Sequence, residues 1–346
     1  MGILRFLLAL AVVATHTRSL YPVSLIPGMK AVQAFYIISG FYMALILEEK
    51  YIGIKNSYKL FITNRFLRIY PLYWLVLILS LIYYFSILAL KGVDNHLFIF
   101  STFIKQHNWS MLTVMLLISL FIFGQDILYF TKYVSLETTL LIPQAWTLSL
   151  ELMFYLIAPF LIRLKTKYLV LIFSGSILLR FLLYIHGLKE DPWTHRLFPL
   201  EIALFILGIF SFKIYKRIRG KTIPLNFNIA ALISILSMVF LFPVIKFTHS
   251  LFGIIIYFIV LTVGLPFIFY LSKDNKFDQW LGDFSYPIYI CHVLVIDMLL
   301  NPGFIQKSDH FLGWWAVGGS FLLSLLLLYC VIYPIDKIRH RRMTSV

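Results

Sequence analysis

Apolar runs long enough to cross a bilayer as helices, roughly 17 to 25 residues each, recur from one end of the chain to the other. They lie near residues 3–20, 30–47, 69–90, 144–162, 168–186, 198–214, 226–245, 251–271, 283–301 and 313–334. Short stretches carrying charges, prolines and glycines separate them. This pattern predicts an all-α polytopic integral membrane protein of about ten transmembrane helices, one membrane-embedded domain over 1–346 with no soluble domain. An eleventh run, near 112–131, disturbs the order. Counted as a full span, it would put the basic cluster Arg163, Lys165 and Lys167 outside the cell, and the cluster Lys213, Lys216, Arg217, Arg219 and Lys221 after it. Reading 96–131 as a re-entrant segment or a pair of short helices leaves twenty of the thirty Lys and Arg inside, nine outside and Arg180 within a span, as the positive-inside rule requires. Both termini are then cytoplasmic, and the expected location is the cell (inner) membrane. The opening GILRFLLALAVVA resembles a signal peptide, but the many spans that follow make it a retained first helix.

Composition agrees. The chain is 61% hydrophobic and 13% charged, with a mean hydropathy of +0.89, which excludes a soluble globular domain. The net charge of +15 is accounted for by basic cytoplasmic loops rather than by nucleic-acid binding. Cys291 and Cys330, the two cysteines, both lie in apolar runs, so neither a disulfide framework nor a cysteine metal site is expected, and no metal is implied.

Against this background the polar residues inside the spans carry the chemistry, because ionisable groups in a bilayer are expensive. Arg5 and His16 stand eleven residues apart in RFLLALAVVATH. Eleven helical steps return to nearly the same face, about 16 Å along the axis. Ser39-Gly40 falls in mid-span, either for close helix packing or as a hydroxyl donor to a substrate. Arg65 and Arg68 share a face at the start of the third span, as membrane anchors or as a fork for phosphates. Glu151 sits several residues into QAWTLSLELMFYLIAP, flanked by Ser149 and Tyr155 with Trp146 at the interface. It pairs with Arg180 or His16, takes a proton or faces a watery cavity. Ser285, Tyr289 and His292 form one polar stripe at i, i+4, i+7.

Together these segments resemble the integral-membrane acyltransferase 3 family, which O-acylates sugars of bacterial envelopes and other acceptors. The resemblance runs from Arg5 to about His292. It rests on the Arg-x10-His pair Arg5 and His16, on Ser39-Gly40-Phe41, and on Arg65-x-x-Arg68 followed by Tyr70-Pro71. The family's Trp-Ser-Leu-Ser-x-Glu-x-x-Phe-Tyr appears as Trp146-Thr147-Leu148-Ser149-Leu150-Glu151 with Phe154-Tyr155. Gly282, Ser285, Tyr286, Tyr289 and His292 complete a further motif. Two departures concern the acceptor side: Leu152 follows the glutamate where many members carry a second acid, and MKAVQAFYIISGF follows Gly28 in place of an acidic, Phe-rich stretch.

The resemblance implies a membrane O-acyltransferase that uses acyl-CoA, most simply acetyl-CoA, as co-substrate with no bound cofactor. A cell-envelope glycan or lipid-linked sugar would be the acceptor. Arg5, Arg65 and Arg68 would take the donor's phosphates at the inner face. His16 would be the general base, with Glu151 orienting or charge-balancing it. Ser39, Tyr289 or His292 would donate to the oxyanion, and Trp146, Ser149 and Tyr155 would position substrate. Direct transfer and an acyl-enzyme route both fit. On composition alone a proton-coupled transporter of lipid-linked sugars or organic anions competes with this reading; the inner arginine pair and the lack of an inverted repeat favour the enzyme. A purely structural membrane partner ranks below both.

Overall fold

A computed structural model describes residues 1–17, 20–92, 95–130, 140–245 and 250–344. Buried peptide groups in a bilayer have no water to bond, so they must pair within their own segment, and most of the described residues are helical. In chain order the helices are α1 (Gly2–His16), α2 (Gly28–Lys50), α3 (Ser57–Lys91), α4 (Asn95–Lys105), α5 (Trp109–Phe121), α6 (Trp146–Leu161), α7 (Thr166–Ile185), α8 (Phe198–Ile218), α9 (Leu225–Leu241), α10 (Leu251–Ser272), α11 (Lys276–Asp283), α12 (Ser285–Leu300), α13 (Leu312–Leu327) and α14 (Tyr333–Thr344). Eight segments among the described residues are long and apolar enough to cross a membrane, with α11–α12 and α13–α14 each counted as one. The apolar helices α1 and α9, of 15 and 17 residues, are shorter. The chain is a multi-pass membrane protein.

The described part of the 96–131 segment holds two short helices, α4 and α5, of 11 and 13 residues. At about 1.5 Å per residue α5 reaches only about 20 Å, less than a bilayer core. It stops where it does because α3 receives its end: Tyr70 and Tyr73 donate to the Phe121 and Ser119 carbonyls, both at 2.5 Å, and the Trp74 indole donates to the Leu120 carbonyl at 2.9 Å. Those are among the carbonyls that a helix C-terminus leaves unpaired. Residues 131–139, which follow, lie outside the described residues.

The basic clusters gather at one end of the bundle. Lys216 and Arg219 at the end of α8 pair with Glu48 and Glu49 at the end of α2, Lys213 donates to Thr166 at the start of α7, and Arg342 of α14 donates to Thr63 of α3. In the centre, α2 crosses α8 at backbone contact. A Cβ on Gly40 would collide with the Phe205 carbonyl, and one on Gly208 with the Ile37 carbonyl, so Gly40 permits close packing while its neighbour Ser39 faces elsewhere. The peripheral helix α7 turns Leu171, Leu178 and Phe181 outward, the surface a bilayer would cover.

Candidate active site

Six helices around α2 (α1, α3, α6, α10, α11 and α12) build the site, and α1 is the first fixed point. The Asp278 carboxylate of α11 accepts the Gly2 and Ile3 backbone N–H groups at 2.6 and 2.9 Å, capping the start of α1 where helix donors and dipole favour an anion. That clamp sets the helix register. Arg5 then donates to Ser285 of α12 at 2.7 Å, and at the other end of α1 His16 meets His292 of the same helix. The shared face expected of Arg5 and His16 is therefore the face that packs on α12.

The two imidazoles lie with ring centroids 4.8 Å apart, and His292 Nε2 is 3.3 Å from His16 Nδ1. Each Nδ1 also faces a backbone carbonyl, Val12 for His16 at 2.9 Å and Tyr289 for His292 at 2.8 Å. A carbonyl oxygen only accepts, so in the neutral rings both Nδ1 atoms carry the proton. His292 Nε2 then accepts from His16 Nδ1–H, which it shares with the Val12 carbonyl. His292 is fully buried, whereas the His16 ring is exposed. In the neutral rings this network puts no proton on His16 Nε2, on a residue that is itself exposed.

A cavity of about 450 Å³ runs from the basic end of the bundle towards this pair. Arg5, Arg65, Arg68 and Lys273 line it near the basic end, together with Asp278 and Asp283. Ser39, Tyr42, Glu151 and Tyr155 line its middle, and Val32, Phe35, Tyr36, Thr147 and Tyr289 line its far end. Arg65 is only 4% exposed, its guanidinium lies over the rings of Phe61 and Tyr155, and its Nε has no hydrogen-bond partner among the described residues. None of Arg5, Arg65 and Arg68 forms an ion pair with a described residue. Three guanidiniums converging without a carboxylate partner form a site for a polyanion.

Glu151 does not meet His16. Its carboxylate accepts from Ser39 at 2.8 Å and from Tyr155 one turn along α6. Nor does it meet Arg180, which pairs with Glu201 at 3.0 Å. Tyr289, on the far wall, shares a 2.5 Å contact with Thr147, and the pair bonds the Gln144 carbonyl. His292 follows Tyr289 by less than one turn, and neither histidine lines the cavity.

A family model described as an acyltransferase domain, Acyl_transf_3, matches residues 1–333. The chain belongs to this acyltransferase family. Among curated relatives, the peptidoglycan O-acetyltransferase OatA of Listeria monocytogenes is 26% identical over 364 aligned residues, covering 96% of this chain and 55% of the relative; this chain thus spans about half of that protein. ORF330 of Acidianus two-tailed virus, provisionally named an acetyltransferase, is 27% identical over 312 residues, 86% of this chain and 82% of its own. An uncharacterized protein of Aquifex aeolicus is 26% identical over 208 residues, 58% of this chain and 90% of the relative. No solved structure matches the chain significantly.

The acyltransferase thus brings nine of the residues singled out from sequence to one cavity: Arg5, Ser39, Arg65, Arg68, Glu151, Tyr155, Ser285, Tyr286 and Tyr289. His16 and His292 form a separate pair beyond its far end. Trp146 and Ser149 point elsewhere. Trp146 is buried beneath the Arg196 guanidinium, 4.1 Å from its ring centre, and Ser149 donates to Asp126 at 2.6 Å while accepting the Gly124 N–H. Their contacts hold loops in place instead of presenting groups to the cavity. In the loop before α8, burial opposes the charge on Asp191, but hydrogen bonds from His195 and Arg196 outweigh it and hold the carboxyl at about 2. Sequence reasoning missed Tyr36, Tyr42 and Lys273 as cavity residues. Thr147 was visible only as the residue standing where the family motif has serine.

Proposed function

We propose that this acyltransferase moves an acyl group, acetyl in the simplest case, from cytosolic acyl-CoA to a hydroxyl of a cell-envelope or exported glycan. The observation that carries the reading is the set of unpaired guanidiniums Arg5, Arg65 and Arg68 around one end of a cavity whose other end is uncharged. Coenzyme A has that polarity, phosphates at one end and a thioester at the other. The basic end of the bundle faces the cytosol on the positive-inside rule, with both termini on that side of the cell membrane. The name of the Listeria relative, a peptidoglycan O-acetyltransferase, supports a glycan acceptor.

In the proposed reaction His16 Nε2 takes the proton from the acceptor hydroxyl as its oxygen bonds the thioester carbonyl carbon. The carbon–sulfur bond then breaks, and the leaving thiolate takes that proton back from the imidazolium, giving ester and free thiol. His16 lies beyond the wall formed by Phe35 and Tyr289, so the acyl group meets the acceptor at that wall. Glu151, held by Ser39 and Tyr155, supplies negative charge in the middle of the cavity and orients these side chains; no hydrogen bond links it to the base. Membranes holding wild-type or His16→Ala protein, supplied with labelled acetyl-CoA and the host polysaccharide fraction, test the reading. Base-labile label on glycan with the wild type, lost by at least about a thousandfold in His16→Ala at equal expression, is the expected result. Unchanged labelling in the variant removes His16 from the reaction.

A further inference from the structure

Transfer from a thioester needs more than a base, because negative charge develops on the carbonyl oxygen and a donor aimed at it contributes heavily to rate. Tyr36, Thr147 and Tyr289 are the hydroxyl-bearing residues that line the far end of the cavity, and Ser39 stands next to them towards its middle. Three of the four have their protons committed. Ser39 donates to Glu151. Thr147 and Tyr289 spend their two protons on one another and on the Gln144 carbonyl. That removes both Ser39 and Tyr289, the hydroxyls that sequence favoured, from easy donation to a substrate.

Tyr36 is different. It is 3% exposed, and its hydroxyl has no hydrogen-bond partner among the described residues. Packing holds the side chain in place: the ring lies 4.8 Å from Phe205 of α8, and one turn back on α2 Gln33 donates to Glu201 of α8. A buried hydroxyl left unpaired is costly, and such exceptions call for an explanation. A residue of this kind on the wall of a substrate cavity is explained by a partner that arrives with the substrate.

We propose that the Tyr36 hydroxyl donates a hydrogen bond to the acyl carbonyl oxygen of the donor. This rests on the acyl-CoA reading above. As the acceptor oxygen bonds the carbonyl carbon, the carbonyl electron pair moves onto oxygen, and the Tyr36 O–H holds that oxyanion without giving up its proton. Collapse restores the carbonyl and expels the thiolate. Tyr36 is thus a further catalytic residue, placed at the end of the cavity where the thioester arrives and remote from the guanidiniums that take the phosphates.

The test is Tyr36→Phe, which removes the hydroxyl alone. In membranes assayed with labelled acetyl-CoA and envelope polysaccharide, kcat should fall about 100-fold, with KM for acetyl-CoA changed less than about twofold. The thermal midpoint should not fall, because the folded chain loses no hydrogen bond. A purely structural tyrosine predicts the opposite pairing, a lowered midpoint with proportionate loss of active protein, and that result overturns the proposal, as does an unchanged kcat. Binding of labelled coenzyme A to the wild type separates the two claims. Wild-type protein that binds it while Tyr36→Phe keeps full turnover sinks the role of Tyr36 alone. Wild-type protein that does not bind it sinks the donor reading, and this proposal with it.

Discussion

The two ends of the site treat charge in opposite ways. At the basic end Arg5, Arg65 and Arg68 stand together with no carboxylate in ion-pair reach among the described residues, and Arg65 is nearly buried. At the other end two imidazoles are arranged around neutral acceptors, backbone carbonyls and each other. Of the three only Arg65 is buried, and a buried guanidinium without a counter-ion is unfavourable until an anion joins it, so in the proposed function that end keeps binding energy for the donor. A base has the reverse need. It must hold a lone pair in the resting protein, and neutral partners on the other ring nitrogen leave that lone pair free, where a guanidinium N–H would donate to it and occupy it. In the proposed function, anchoring and proton transfer are therefore separated by about the length of α1.

The sharpest way to break this comparison is at His292, which has both nitrogens engaged and does not line the cavity. In the proposed reaction it acts on His16 as a neutral orienter, the position a carboxylate fills in an acid–His–nucleophile array. His292→Leu should lower kcat about 100-fold and leave KM for acetyl-CoA unchanged. His292→Gln, whose amide oxygen offers a neutral acceptor near the place of Nε2, should recover most of it. Equal loss in both variants would show that His292 does not act by accepting from His16.

At the opposite end the expected effect is smaller and of another kind. Arg65→Ala and Arg68→Ala should each raise KM for acetyl-CoA about tenfold with kcat nearly unchanged, as the loss of one charge-assisted phosphate contact would do. Arg65→Lys should recover only part, because a lysine ammonium lacks the planar fork. A donor KM unmoved in all three variants would take the pair out of donor binding and leave it as membrane anchoring.

Much of this arrangement was legible in the sequence, and what was not has identifiable causes. The shared face of Arg5 and His16 follows from helical periodicity, and both residues pack on α12. The polar stripe Ser285, Tyr289, His292 also points inward, but its members serve three neighbours: Arg5, Thr147 and His16. The short helices in 96–131 followed from charge bookkeeping, yet the reason α5 ends where it does, the aromatic side chains of α3, depends on contacts far apart in sequence. Partner choice was the least legible layer. A membrane glutamate must be satisfied, but whether by Arg180, His16 or two hydroxyls depends on helix packing, and Glu151 took the hydroxyls. Tyr36 stands in a chain with 21 tyrosines, and only the fold shows that its buried hydroxyl has no partner among the described residues.

The smallest expected effect concerns the end of the bundle that carries the histidines, where charge is paired. Asp191 receives two bonds from Arg196, at 2.6 and 2.7 Å, and faces His195 at 3.2 Å. Its carboxyl is held at about 2, below the ordinary value near 3.9. A carboxyl depressed by folding contributes stability that is fully present above the unfolded value and is lost as the pH falls through the folded one. The contribution of Asp191 is therefore complete at neutral pH and disappears between about pH 4 and pH 2. With 38% of its side chain exposed, water screens the pair, so Asp191→Asn should lower the thermal midpoint at pH 7 by only about 1–2 °C. That difference should shrink towards zero near pH 2, with KM for acetyl-CoA unaffected throughout. A pH-independent difference would mean that the side chain acts by shape and not by charge. A shifted donor KM would mean that the two ends of the molecule are not as separate as the unpaired and paired arginines make them.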